Sequence, residues 1–152
     1  MNRGMFMMIE DYGYGTILYD ILKRVNIDQY FWAVDCLFLI DNEPDDSLVE
    51  GIYLPNEFKD AIAKEHIPLF IRIRAYPLKW YGQEIEEVED YQCFMKSRCE
   101  IVLLCSDGGY YEIYAKNPDV LQSIRESCQR IKHNQLEYIT DQNDGRTRFD
   151  PI

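Results

Sequence analysis

Few of the 152 residues stand in a spacing that chemistry requires. The two histidines, His66 and His133, are far apart and form no HxxxH or HxxE pair, so no zinc site is written in the chain. Five cysteines, Cys36, Cys93, Cys99, Cys105 and Cys128, are an odd number without a CxxC pair. They argue against a disulfide framework and a zinc knuckle, and fit a reducing compartment. Cys105 lies in an apolar run and Cys128 continues a helical stripe, as small core residues do. A Cys/His pair such as Cys99 with His133 is left for nucleophilic catalysis, whose partners need not be close in sequence. No GxSxG elbow occurs, and the 27 acids allow too many carboxylate pairs for any one to carry meaning. Tyr12-Gly13-Tyr14-Gly15 follows a strand pattern and precedes a helix pattern, where glycines can cradle phosphate. A third glycine and a P-loop lysine are missing, and Glu10 and Asp11 would repel the anion, so a structural turn is expected there.

Two acidic clusters stand out. The first is Asp41, Glu43, Asp45, Asp46 and Glu50; the second is Glu84, Glu86, Glu87, Glu89 and Asp90. Read as a calcium loop starting at Asp41, the first would need glycine at its sixth position and glutamate at its twelfth, where Asp46 and Ile52 stand. No metal is expected. Clustered acids more often form a solvated face, and they can steer a basic protein partner. Trp80 and Tyr81 lie just ahead of the second cluster, and such side chains bury large area while keeping a polar tip. Trp80, Tyr81, Glu84, Glu86, Glu87 and Asp90 are therefore the candidate partner-binding set. Arg72, Arg74 and Tyr76 project to one side of an alternating segment and are the candidate set for an anionic ligand. The bland expectation is that the arginines pair with acids on a solvated sheet face.

The elements that must position these residues can be read from their periodicity. Arg3 to Ile9 reads as a strand, and Thr16 precedes a short helix with Ile17, Leu18, Ile21 and Leu22 on one face. Tyr30 to Ile40 is β-branched and aromatic with a polar break at Asp35-Cys36, so it forms two strands or one long bent strand. A short strand lies within Leu48 to Leu54, and a helix capped by Asn56 carries Phe58, Ala61 and Ile62 until Pro68 forbids it. Leu69 to Tyr76 alternates, as a strand with one buried face does. A brief helix around Tyr91, Phe94 and Met95 follows. Glu100 to Ser106 and Tyr110 to Ala115 flank Asp107-Gly108-Gly109, a hairpin composition. Asn117-Pro118-Asp119 opens a helix through Val120, Leu121, Ile124, Cys128 and Ile131, and Gln135 to Thr140 is a last strand. The order predicts one α+β domain over residues 1–152, with a mixed or mainly antiparallel sheet and three to four helices, and 141–152 as a polar C-terminal segment.

Composition narrows the function classes. A 47% apolar and 14% aromatic chain is no disordered acidic tail. A net charge of −11 repels phosphate backbones and anionic headgroups, which excludes nucleic acid and acidic membranes as partners. The longest apolar run is about half the length of a membrane-crossing helix, and Met5 to Ile9 leads into acids instead of a cleavage site, so the expected location is the cytoplasm.

The chain also resembles a family of small Gram-positive bacterial proteins known as domain of unknown function 2691. The resemblance runs nearly end to end through Arg3-Gly4, Tyr19-Asp20-Ile21-Leu22-Lys23, Ala75-Tyr76-Pro77, Cys99-Glu100-Ile101-Val102-Leu103-Leu104, Glu137-Tyr138-Ile139-Thr140-Asp141 and Asn143-Asp144-Gly145-Arg146-Thr147-Arg148. It implies a bacterial cytoplasmic protein and carries no catalytic residue or cofactor across. The sequence thus points to a non-catalytic protein-binding module, immunity-like or regulatory, whose partner is a basic protein and which needs no cofactor. The alternative is a small-molecule enzyme or binding protein that holds an anionic ligand on Arg72 and Arg74. Its sheet edges leave pairing between copies open.

Overall fold

A computed structural model describes residues 1–10, 15–40 and 48–152. Tyr12-Gly13-Tyr14 and, of the first acidic cluster, Asp41, Glu43, Asp45 and Asp46 lie outside the described residues. The elements are β1 Asn2–Met8, α1 Ile17–Leu22, β2 Tyr30–Ile40, β3 Gly51–Tyr53, α2 Pro55–Ile62, β4 Ile67–Pro77, α3 Tyr91–Lys96, β5 Ile101–Ser106, β6 Tyr110–Ala115, α4 Pro118–Gln129 and β7 Gln135–Thr140. Short 3-10 turns occupy Ile27–Gln29 and Leu78–Trp80. The described strands form one sheet in the order β3-β2-β4-β5-β6-β1-β7, with every neighbouring pair antiparallel. The fold is α+β, as the order of sequence signals implies.

Local chemistry accounts for the boundaries. Asp107 and Gly108 take positive φ angles of 53° and 74° and turn β5 into β6 with Ser106 opposite Tyr110. The Asn117 side chain accepts a hydrogen bond from the Asp119 N–H at 2.8 Å, and Pro118 fills the first turn of α4, where no N–H is needed. The start of α2 differs from the expectation. Pro55 supplies its first turn and Leu54, not Asn56, is the capping residue, its N–H held by the Glu57 carboxylate at 2.9 Å.

The Tyr30 to Ile40 run is one strand bent by a bulge. Cys36 has φ 51°, and pairing to β4 slips between Asp35 and Phe38. A one-residue slip exchanges the two faces of a strand. Leu37 and Leu39 therefore join the core under the helices, while Phe38 and Ile40 are left exposed.

The sheet is covered on both faces. On the first face α1, α2 and α4 pack over Met5, Met7, Trp32, Ile73, Leu103 and Ile113, with Trp32 stacked flat on Phe58 at 4.4 Å. The second face carries Phe31, Tyr76, Val102 and Tyr114, and residues 78–100 and the C-terminal segment return across it to bury Val88, Phe94 and Phe149. The Tyr114 and Phe149 rings lie 4.6 Å apart. β4 is consequently buried on both sides, and its polar face is not the solvated one that alternation implied: Arg74 and Tyr76 are both buried.

Candidate functional site

On an antiparallel sheet, residues directly opposite one another share a face, so register assembles the polar centre of the second face. Asp35 on β2 stands opposite Arg72 on β4. The Asp35 carboxylate accepts a hydrogen bond from Arg72 Nε at 2.7 Å and a second from the other end of the same guanidinium, and Arg74 reaches it at 3.4 Å. This fork against a carboxylate is the geometry for which arginine is suited. The hydrogen bond to Asp35, opposed by burial, holds the Arg72 guanidinium above its ordinary pKa. Arg72 also donates to the Phe149 carbonyl at 3.2 Å, which ties the C-terminal segment to β4. Arg74 donates to the Tyr76 hydroxyl at 3.2 Å, and Tyr76 donates to the Glu86 carbonyl at 2.9 Å. Burial pushes the Tyr76 phenol above its ordinary range. Arg74 Nε is buried without a hydrogen-bond partner among the described residues.

The Glu86 carbonyl joins this centre to the second candidate set. The Glu86 carboxylate accepts from Arg98 Nε at 2.8 Å. Burial pushes that carboxyl up, but the Arg98 side chain and backbone bonds outweigh it and leave it below its ordinary value. Arg98 also donates to the Glu84 carbonyl at 2.7 Å and lies over the Trp80 ring at 4.7 Å, with Lys79 over the same ring at 5.2 Å. Trp80 is thus half-buried between cations. Tyr81 is 49% exposed and leans its edge on Phe31 at 5.7 Å. Glu84 and Glu87 are exposed and, among the described residues, carry no ion pair. Asp90 is occupied as the cap of α3, accepting from the Cys93 N–H at 2.8 Å, and that bond lowers its pKa.

The C-terminal segment is clamped by three further groups. Arg146 pairs with Glu112 at 2.7 Å, and Asp144 accepts from Arg3 at 3.2 Å and from the Tyr114 hydroxyl at 3.1 Å. Arg3 is the extra residue of a bulge in β1, which aims its guanidinium over Tyr91 at 4.0 Å. An open cleft of about 750 Å³ runs between this segment and β7, lined by Phe6, Gln135, Glu137 and Arg148 among others.

Three of the five cysteines are placed as packing residues, while Cys36 and Cys93 are partly exposed. Cys99, Cys105 and Cys128 are fully buried, and burial pushes each thiol up to about 12, the opposite of what a nucleophile needs. His133 is exposed and its Nδ1 lies 2.6 Å from the Ile131 carbonyl. Among the described residues no three His, Cys, Asp or Glu side chains converge as a metal site would need, and no helix is long and apolar enough to cross a membrane.

Of the residues singled out in the sequence, Arg72, Arg74 and Tyr76 come together and meet Trp80, Glu84 and Glu86 through the Glu86 backbone. Asp35 and Arg98, which organise the two groups, were not singled out. Their signal was an acid inside an apolar run and a cation beside the first cysteine of the hairpin.

The fold is therefore a single α+β domain built on one antiparallel sheet whose second face is closed by its own chain. The family described as Protein of unknown function (DUF2691) matches residues 2–150, and the chain belongs to that family. It is 31% identical, over 156 residues and 97% of each chain, to a protein of Bacillus subtilis (strain 168) named Uncharacterized protein YncE. No solved structure matches the chain.

Proposed function

We propose that the protein is a non-catalytic protein-binding module, immunity-like or regulatory, acting in the bacterial cytoplasm through the loop at 78–90. The observation that carries this reading is the exposed Tyr81, edge-on to Phe31, in the same loop as the exposed Glu84 and Glu87, which form no ion pair among the described residues. An aromatic anchor that gains by desolvation, ringed by acids that steer a cation-rich surface, suits recognition of a basic protein. Trp80, held between Lys79 and Arg98, is the second aromatic of the anchor, and Glu86 and Asp90 hold the loop through Arg98 and the α3 cap. Affinity capture from a host lysate tests the reading, with wild type and a Tyr81→Ala/Glu84→Lys/Glu87→Lys variant washed at low and high salt. A single basic protein retained by wild type, weakened by salt and lost with the variant, is expected. Retention indifferent to both salt and the substitutions, or no retention, would count against it.

A second reading has one observation in its favour, the buried Arg74 Nε that lacks a hydrogen-bond partner among the described residues. A small anion bound to Arg72 and Arg74 would satisfy it, although it must compete with Asp35 for both guanidiniums. Thermal stabilisation by a small acid or nucleotide, lost with Arg74→Ala, would support this alternative.

A further inference from the structure

Several of the exposed large apolar side chains lie toward the β3 edge of the sheet. Ile52 pairs with Ala33, whose side chain belongs to the second-face core, so Ile52 projects on that face and is 50% exposed. Leu54 continues the alternation two residues on and is exposed, next to the row of Phe31 that carries Tyr81. On the other side of Ile52 the bulge at Cys36 has turned Phe38 to the same face, opposite Phe70, where it is 65% exposed. Tyr81, Leu54, Ile52 and Phe38 thus form a strip along one sheet edge, adjoining the loop of the proposed interface. Apolar residues clustered this way mark an interaction surface more often than scattered ones do.

Charge selects the occupant. Glu50, two residues before Ile52, accepts from the Leu37 N–H at 3.3 Å beside Phe38 in the chain, and Glu84 and Glu87 follow Tyr81 in its loop; all three are exposed and form no ion pair among the described residues. A second copy would bring a further −11 of net charge against the same acidic edge. A surface with apolar side chains spaced between lysines or arginines would instead neutralise these carboxylates while covering the strip.

We propose that Ile52, Leu54 and Phe38 extend the Tyr81 loop into one continuous docking surface for a cationic, amphipathic partner segment. This rests on the protein-binding reading and adds to it where the contact lies and what chemistry it accepts.

The test is a titration of nitrogen-15-labelled protein with a short amphipathic helical peptide of lysine and leucine, followed by amide NMR shifts. A glutamate and leucine peptide of the same pattern is the control. Wild type, Ile52→Ser and Phe38→Ser are compared, both variants lying at exposed positions so that their spectra report an intact fold. The expected result is a salt-sensitive shift pattern centred on Ile52, Leu54, Phe38 and Tyr81, at least about tenfold weaker in each variant and absent with the acidic peptide. Shifts confined to 81–87 and unchanged by the variants would overturn the extension while leaving the loop reading standing. Equal binding of the acidic peptide, or concentration-dependent dimerisation of wild type abolished by Phe38→Ser, would overturn the choice of a cationic partner. Retention of the partner by the loop variant in lysate capture, with the peptide result intact, would overturn the loop reading and leave the contact at Ile52 and Phe38 standing.

Discussion

Replacing Asp35 with alanine tests whether the arginine centre is structural. The substitution leaves Arg72 and Arg74, with side chains 13% and 7% exposed, facing each other without their shared carboxylate. Removing one partner of a buried ion pair costs about 3–5 kcal/mol, because the charge left behind is desolvated and uncompensated. Asp35 itself is 27% exposed, so water screens part of the interaction and the lower end, about 3 kcal/mol, applies. Set against a total stability of about 5–15 kcal/mol for a domain, that is a large fraction. The assay is equilibrium urea unfolding of wild type, Asp35→Ala and Asp35→Ala/Arg72→Leu. The double variant removes one of the two stranded guanidiniums and should recover part of the loss. A loss under about 1 kcal/mol for Asp35→Ala would refute the reasoning, since it would mean that the two arginines hold their positions without the carboxylate.

Three other outcomes follow from the packing. Gly4 lies opposite Tyr114, and a Cβ there would run into the Ile113 carbonyl backbone, so Gly4→Ala should destabilise by at least about 2 kcal/mol in the same urea assay. Phe149→Ala should cost about 3–5 kcal/mol and raise proteolysis of the C-terminal segment, since the ring packs between Phe94 and Tyr114. Above pH 9 the protein should lose stability steadily. The unfolded thiols of Cys99, Cys105 and Cys128 ionise near their ordinary 9.0 while the folded ones stay protonated to about 12. Because the folded pKa values are raised, the stabilisation is complete below 9 and is lost as pH climbs toward 12, at about 1.4 kcal/mol per pH unit for each thiol. Urea midpoints measured across that range check it, and a Cys128→Ala variant should show a shallower slope.

Much of the fold was legible because its signals are local. The Asp107-Gly108 turn, the Asn117 cap with Pro118, and the stripe of α4 each depend on residues within a few positions of one another. What could not be read was the covering of the second face. Arg72 and Arg74 on an alternating strand look like a solvated face, and only the return of residues 78–100 and 141–152, far away in sequence, makes them buried. The same distance hid the partnership of Arg146 with Glu112: residues 144–148 alone fit a recognition element or, somewhat better, a cap that pairs arginines with acids, and the structure shows the Arg146 pair. Asp35 was visible as a polar break, and its consequence was visible as an ambiguity between one strand and two. That the break is a bulge, which exposes Phe38 and turns Leu37 and Leu39 inward, depends on pairing with β4.

Hydrogen–deuterium exchange on the free protein and on its complex with the captured partner tests most directly whether recognition occurs at the rim of the sheet and not within its closed second face. The expected result is slowed exchange in 78–90 and at 51–54 on binding, with the exchange of 141–152 unchanged. Faster exchange in 141–152, or new protection centred on Arg72 to Tyr76, would contradict it, because the partner would then enter the face that the C-terminal segment closes.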